Sequence, residues 1–171
     1  PPSLSLYEEV QEYYKQKFPA LKFLKARNHE SVLNYWDKIG TPSDTHRWCC
    51  SVMKTAPLYR MLKVDGNKQA HVLAFDGVRA EESTKRDSYQ REGKGKHTFV
   101  YNAHRILRWN SIEIFLYLFR YNLPINPAYR VGKARVGCLI CPFSTGWDDM
   151  IVNKKYGNDL HPFVENLKKY S

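Results

Sequence analysis

All four cysteines of the chain fall in two short stretches. In THRWCCSVMK (45–54) Cys49 and Cys50 are adjacent, and in GCLICP (137–142) two residues separate Cys138 from Cys141. A C-x-x-C turn presents two thiolates from one segment, which suits a thiolate-ligated metal or an iron–sulfur cluster. The adjacent pair discriminates between these. Zinc ligands are generally spaced two to four residues apart, because neighbouring side chains diverge and rarely reach one small ion. A four-iron cluster has four separate corners, so Cys49 and Cys50 can serve different irons, and the thiol count matches. The pattern favours a [4Fe-4S] cluster on Cys49, Cys50, Cys138 and Cys141. A structural zinc that leaves one of the adjacent pair unused is the alternative.

Composition sets the context for these thiols. The 171 residues are 43% hydrophobic and 14% aromatic, enough for a folded domain with a core. No apolar run approaches the roughly 20 residues of a membrane-spanning helix, and the start PPSLSLYEEV lacks the pattern of a signal peptide. The chain reads as a cytoplasmic protein, where four cysteines indicate metal or catalysis rather than disulfides. Its net charge of +10 and pI near 9.4 favour polyanionic partners such as nucleic acid or phosphorylated and sulfated nucleotides.

Elements that position the thiols follow from local pattern. Helices are predicted over 5–18, over 29–40 with Gly40 as C-cap, within KTAPLYRMLK (54–63), and over 112–121 with Asn110 or Ser111 as N-cap. The tail, 146–170, predicts two short helices divided near Tyr156–Asp159. Strands are predicted at ALKFLKA (20–26) and QAHVLAFDGVR (69–79), with a turn at DGNK (65–68). Segments 80–97 and 122–137 read as polar loops, and the aromatic stripe of 112–121 as core packing. Alternating strands and helices give an α/β class with parallel strands. Two or three strands make a thin sheet for that class. With no initiator Met, the sequence reads as part of a longer domain.

The loop after the best strand is the second chemical feature. DGVRAEESTKRD (76–87) follows a strand's C-terminal end, where α/β sheets bind ligands. Gly77 allows close backbone approach, and Arg79 and Arg86 can offer forked donors to phosphate or sulfate. Arg130, Lys133 and Arg135 precede the C-x-x-C and can balance an anionic cluster or attract an anionic substrate. His46 and His104 receive no catalytic role.

Three stretches carry a family resemblance: CCSVMKTAPLYRMLK, AFDGVRAEESTKRD and ILRWNSIEIFLYLFRYNLPINPAYRVGKARVGCLICPF. In order and spacing they resemble the PAPS/APS (sulfonucleotide) reductase family. The resemblance runs from the first helix to Phe143. It implies an adenine-nucleotide alpha-hydrolase-like (PP-loop type) parallel sheet with flanking helices. Residues 1–143 would form the C-terminal part of that domain and 144–171 a helical extension of it. It further implies a [4Fe-4S] cluster on the four cysteines with Lys54 beside it, and phosphosulfate binding by Gly77, Arg79, Ser83 and Arg86. The last segment looks most like archaeal and bacterial branches and like sulfur-transfer proteins of DNA phosphorothioation.

Two features set this chain apart from the family pattern. The S-G-G-x-D-S type nucleotide loop does not occur in it, so the nucleotide's phosphates would be gripped by a segment lying upstream. The nucleophilic tail cysteine of sulfonucleotide reductases is also absent if all four thiols hold a cluster. The expectation is nucleotide-linked sulfur chemistry, either sulfonucleotide reduction or sulfur transfer, by the full-length protein. A nucleic-acid sulfur acceptor and a thiol or sulfur donor protein are compatible partners. The rival reading is a zinc-stapled basic module that binds nucleic acid without catalysis.

Overall fold

The computed structural model describes residues 6–64, 68–69 and 71–169. In chain order the elements are α1 (Tyr7–Lys17), α2 (Val32–Ile39), α3 (Trp48–Cys50), a π turn (Ser51–Thr55) and α4 (Ala56–Met61). A hairpin of β1 (Lys63–Val64) and β2 (Lys68–Gln69) follows, then β3 (Val72–Phe75), a 3-10 turn (Ala80–Glu82) and α5 (Thr84–Asp87). The remainder comprises β4 (Glu92–Lys94), β5 (Val100–Ala103), α6 (Ser111–Arg120), α7 (Pro127–Arg130) and α8 (Gly146–Lys168). The class is α/β: a small sheet containing a parallel pair, with flanking helices. The chain divides into two compact units, Pro1–Met61 with Pro124–Ser171, and Leu62–Leu123.

The first unit is helical and carries every cysteine. Ser31 caps α2 by accepting the Asn34 N–H, and Gly40, at φ 91°, ends it as the sequence predicts. The core gathers Val32 and Trp36 of α2, Trp48 and Cys49 of α3, and Phe163 of α8. The Trp36 and Phe163 rings meet edge-on at 5.5 Å. The Trp48 indole donates to the Gly40 carbonyl at 3.0 Å, tying the helix that bears the cysteines to the end of α2. The predicted division of the tail falls at Tyr156, whose φ/ψ of −129°/25° breaks the helical geometry of α8.

In the second unit β3 and β5 run parallel in the register Val72↔Val100 to Phe75↔Ala103, and β4 pairs antiparallel with β5. The sheet order is β3-β5-β4. Phe99, Val100, Ala103 and Leu107 are buried. The Asn110 side chain accepts the Glu113 N–H at 2.9 Å while the Glu113 carboxylate accepts the Asn110 N–H at 2.7 Å. This reciprocal capping box starts α6.

Several expectations are corrected here. Residues 20–26 form no strand; alternation supplies a half-buried face, but a strand also needs a ladder partner, and none lies beside it among the described residues. The polar stretch 80–97 is not all loop: it holds α5 and β4, with the Gly95 N–H donating to the Val100 carbonyl at 2.8 Å. A Cβ at Gly95 would come within 3.2 Å of Val100 and Asn102, so glycine permits that close return. The aromatic stripe of α6 is not core. Tyr117, Phe119 and Tyr121 are 45, 67 and 58% exposed. The predicted turn at DGNK falls largely outside the described residues, as does Ser5, the first residue of the helix predicted over 5–18.

Replacing Asn110 by Ala removes one bond of the capping box and is expected to cost about 1 kcal/mol. The check is urea denaturation: the midpoint falls at constant m-value, and Asn110→Asp restores most of it.

Candidate metal centre and anion-binding loop

Both cysteine segments lie in the first unit, and local bonds shape each of them. The helix begins at Trp48, so Cys49 and Cys50 occupy its first turn and are followed directly by the π turn, in which the Ala56 N–H reaches back five residues to the Ser51 carbonyl. The Asn28 side chain donates to the Val52 carbonyl inside this turn at 3.0 Å. A π turn widens the helix by one residue and often marks a functional position. Here it re-aims the side chains immediately after the cysteines, Lys54 among them. The C-x-x-C turn is closed by Ser144, whose backbone N–H and hydroxyl both donate to the Cys141 carbonyl, at 3.0 and 2.7 Å. The Arg47 guanidinium lies 3.9 Å from the centre of the Phe143 ring, a cation–π contact that fastens the two segments together.

The four thiols share one electrostatic neighbourhood. None is in a disulfide; Cys49 is buried and Cys50, Cys138 and Cys141 are half-buried. Desolvation pushes the Cys49 pKa up, reinforced by Cys50 and by Cys138. Partial desolvation works against the charge of Lys54. Its hydrogen bond to Cys138 and the charges of Cys138, Cys50 and Cys141 outweigh that effect, and its pKa is raised. One lysine therefore senses thiols from both segments. Among the described residues no group of three or more His, Cys, Asp or Glu side chains is disposed to hold a single metal ion. His46 is exposed, and its backbone bonds with Ser43.

The basic residues before the C-x-x-C separate into different roles. Arg130 is exposed at the end of α7, and Arg135 is exposed in the following loop. Lys133 is buried, with Nζ 3.2 Å from Asp148 Oδ1, an ion-pair contact between side chains only 4 and 8% exposed. Burial opposes the charge of Asp148. Lys133 and the Thr145 hydroxyl outweigh it and hold the carboxyl below its usual range. Asp148 and Trp147, whose indole donates to the Gly132 carbonyl at 2.9 Å, were not singled out by sequence. The T-G-W-D start of α8, with Thr145 as its N-cap, was the available signal.

The second unit holds the arginine loop. Arg79 Nη1 lies 2.5 Å from Glu81 Oε1 and donates to Ser111 Oγ at 3.2 Å, while Nη2 donates to Glu82 Oε1 at 3.4 Å. Ser111 Oγ donates to Glu81, and this bond, against desolvation and helped by Arg79, lowers the Glu81 pKa. Arg86 pairs with Glu82. Ser83 caps α5, its oxygen accepting the Arg86 N–H at 3.3 Å. A Cβ at Gly77 would meet only Ile106, at 3.9 Å, so the fold itself does not require glycine there. Gly77, Arg79, Ser83 and Arg86 thus lie on one short path after β3, and Glu81 and Glu82 hold the two arginines.

Comparison with known proteins agrees with this architecture. The family model of the phosphoadenosine phosphosulfate reductase domain matches residues 4–144. Two uncharacterized proteins of Methanocaldococcus jannaschii are 31 and 30% identical over 146 and 162 residues, covering 82 and 94% of this chain and 28 and 38% of theirs. The adenosine 5'-phosphosulfate reductase of Bacillus cytotoxicus is 30% identical over 146 residues, 79% of this chain and 56% of that enzyme. The chain belongs to the phosphoadenosine phosphosulfate reductase family, and it spans between about a quarter and just over half of the length of these relatives.

The buried pair gives a pH-dependent prediction. Because the folded-state pKa of Asp148 is depressed, its contribution is full above the unfolded value of about 3.9 and is lost as pH falls through the lower folded value. Asp148→Asn leaves the Lys133 charge buried and unpaired, at an expected cost of about 3–5 kcal/mol near neutral pH. Denaturation from pH 3 to 7 should show the difference between wild type and variant shrinking at the acid end.

Proposed function

We propose that this chain is the thiol-rich and anion-binding part of an iron–sulfur member of the family, a cytoplasmic protein performing nucleotide-linked sulfur chemistry. The observation that carries the reading is a shared neighbourhood of the thiols, with Lys54 beside Cys50, Cys138 and Cys141 and Cys49 beside Cys50 and Cys138. The donor set fits a [4Fe-4S] cluster in kind and number: four thiols outside any disulfide, one cation in hydrogen-bond reach, and two segments fastened by Arg47 and Phe143. Cys49, Cys50, Cys138 and Cys141 would hold the cluster, and Lys54 would offset the negative charge of the thiolates. When bound, the cluster supplies electron-accepting iron–sulfide chemistry. Among the basic residues upstream, exposed Arg130 and Arg135 are the ones we assign to drawing in an anion, with Lys133 committed to Asp148.

The arginine loop is the proposed seat of the phosphate or sulfate of an adenine sulfonucleotide. Glu81 and Glu82 hold the Arg79 and Arg86 guanidiniums ordered before ligand arrives, so that an incoming oxyanion shares or displaces a carboxylate rather than ordering a free side chain. The Ser83 hydroxyl, whose oxygen accepts from Arg86, still carries its own proton to donate. Gly77 leaves the approach open. With all four thiols assigned to the cluster, a thiol that attacks substrate sulfur comes from outside these 171 residues. A partner protein that donates a thiol or sulfur is one source of it. A second reading, a zinc-stapled nucleic-acid module, draws on the net charge of +10. The same charge is compatible with nucleic acid as the sulfur acceptor.

Anaerobic purification of the full-length protein followed by iron and acid-labile sulfide analysis is the deciding experiment. The proposal expects about four of each per chain, in keeping with the cluster's stoichiometry, and brown colour lost on any single Cys→Ala change. A colourless protein with one zinc per chain overturns it. For the loop, Arg79→Ala should weaken adenosine 5'-phosphosulfate binding by about ten- to a hundredfold, the worth of charge-assisted bonds. Under the rival reading, nucleic-acid binding is steeply salt-dependent and survives that change.

A further inference from the structure

The turn that presents Arg79 is anchored by a pair of side chains to which sequence gave no role. Asp76 and His104 directly follow β3 and β5, and the parallel register that pairs Phe75 with Ala103 sets them side by side at the C-terminal ends of the two strands. His104 Nδ1 lies 2.6 Å from Asp76 Oδ1. The same carboxylate oxygen accepts the Val78 N–H at 3.2 Å. A single oxygen therefore joins the imidazole to the backbone one residue before Arg79. The imidazole is itself fixed: its side chain is 9% exposed, the Tyr89 ring stacks on it at 5.6 Å and 30°, and its backbone N–H donates to the Arg91 carbonyl at 2.7 Å. An ionised carboxylate only accepts, so Nδ1 is the donor.

Elsewhere the turn's backbone is held from its two ends, by the Asp76 N–H to the Ala103 carbonyl at 3.5 Å before it and by the Ala80 N–H to the Leu107 carbonyl at 2.8 Å and the Glu82 N–H to the Arg79 carbonyl at 3.3 Å after it. Gly77, inside the turn, has the wide backbone freedom of glycine, and even a Cβ there would meet only Ile106, at 3.9 Å. Without a fixed Asp76 carboxylate, Asp76–Arg79 gains conformations, and an oxyanion must select the competent one from among them. Imidazole buried against a carboxylate at the ligand-binding edge of a parallel strand pair is poorly explained as packing, since an apolar side chain would fill that space without a polar group to satisfy.

We propose that His104 is a positioning residue for oxyanion binding: through Asp76 it fixes the Gly77–Arg79 turn that receives the phosphate or sulfate of the nucleotide. This rests on the reading of that turn as the anion site. The imidazole acts through the Nδ1 donor, not as a proton carrier.

The test measures adenosine 5'-phosphosulfate binding and thermal unfolding for the full-length protein and for His104→Ala, His104→Asn, His104→Gln and Arg79→Ala. An Asn amide nitrogen can occupy the place of Nδ1, whereas a Gln amide reaches toward the place of Nε2. The expectation is that Ala and Gln weaken binding by about tenfold, the upper worth of one such bond, while Asn stays within about threefold of wild type. The Gln and Asn variants should have similar unfolding temperatures, so a gap between their affinities reports positioning rather than general stability. Asn as weak as Ala, or all three variants binding like wild type, overturns the proposal. If Arg79→Ala itself leaves binding unchanged, the assignment of the loop as the anion site fails first. If Arg79→Ala weakens binding and no His104 variant does, only the role of His104 fails. Should His104→Ala not fold, the Asn and Gln comparison decides alone.

Discussion

Burial of Cys49 is the constraint on which the thiol-bearing unit depends. This sulfur packs in one core with Trp36, Trp48, Val32 and Phe163, elements drawn from α2, α3 and α8. A core position fixes a side chain far more tightly than a loop does, because interiors are close-packed and displacement opens a void. The same burial opposes ionisation of the thiol, and Cys50 and Cys138 add to that opposition. A buried thiol among other thiols is thus rigidly placed and electrostatically unrelieved. Lys54 acts on the other three thiols, Cys50, Cys138 and Cys141, so that the buried sulfur and the lysine bracket the group from opposite electrostatic sides.

The rest of the unit follows from holding the second thiol pair against the first. Cys138 and Cys141 lie 88 or more residues further along the chain, and the intervening residues include the whole second unit. Closing so long a loop costs entropy that grows only slowly with length, so a few well-placed contacts suffice. Those contacts are the Arg47–Phe143 stack, Ser144 closing the C-x-x-C turn, and α8, whose Phe163 reaches the core beside Cys49. Lys133 and Asp148 tie the loop ahead of the C-x-x-C to the first turn of α8. Breaking one partner of that pair leaves a buried charge, whereas the pair itself adds little to stability. Its value is in fixing which loop meets which helix.

What could be read from sequence was local, and what could not be read depended on distant partners. Gly40 ends α2 and Asn110 with Glu113 starts α6 because caps are decided within four residues. The break in α8 at Tyr156 was equally legible, since the polar run around it weakens the helical pattern. β4 was not. Its Glu92–Lys94 has no hydrophobic alternation and becomes a strand only because β5 offers an unpaired edge and Gly95 allows a close return. The apolar alternation of 20–26 had the reverse fate, good local pattern without a partner. The π turn left no local signal at all. The cysteines and the DGVRAEESTKRD loop were legible by type and spacing, but the burial of Lys133 against Asp148 was not, since charge in sequence does not tell a free lysine from a paired one.

The two chemical features solve the same problem in opposite ways. Around the cysteines, like groups are crowded with little compensation: burial and neighbouring sulfurs disfavour ionisation of Cys49, and one lysine lies beside the other three thiols. Around Arg79 and Arg86, opposite groups are already matched by Glu81, Glu82 and the hydroxyl of Ser111. If the proposed metal–sulfur group binds there, a site of the first kind gains by holding it, because crowded thiols are unfavourable when bare. A site of the second kind gains little from any single anion, because a carboxylate must be displaced or shared. It therefore favours exchange, in which ligand enters and leaves. Under the proposed function, retention at the thiols and turnover at the arginines is the division expected between a resident group and a substrate.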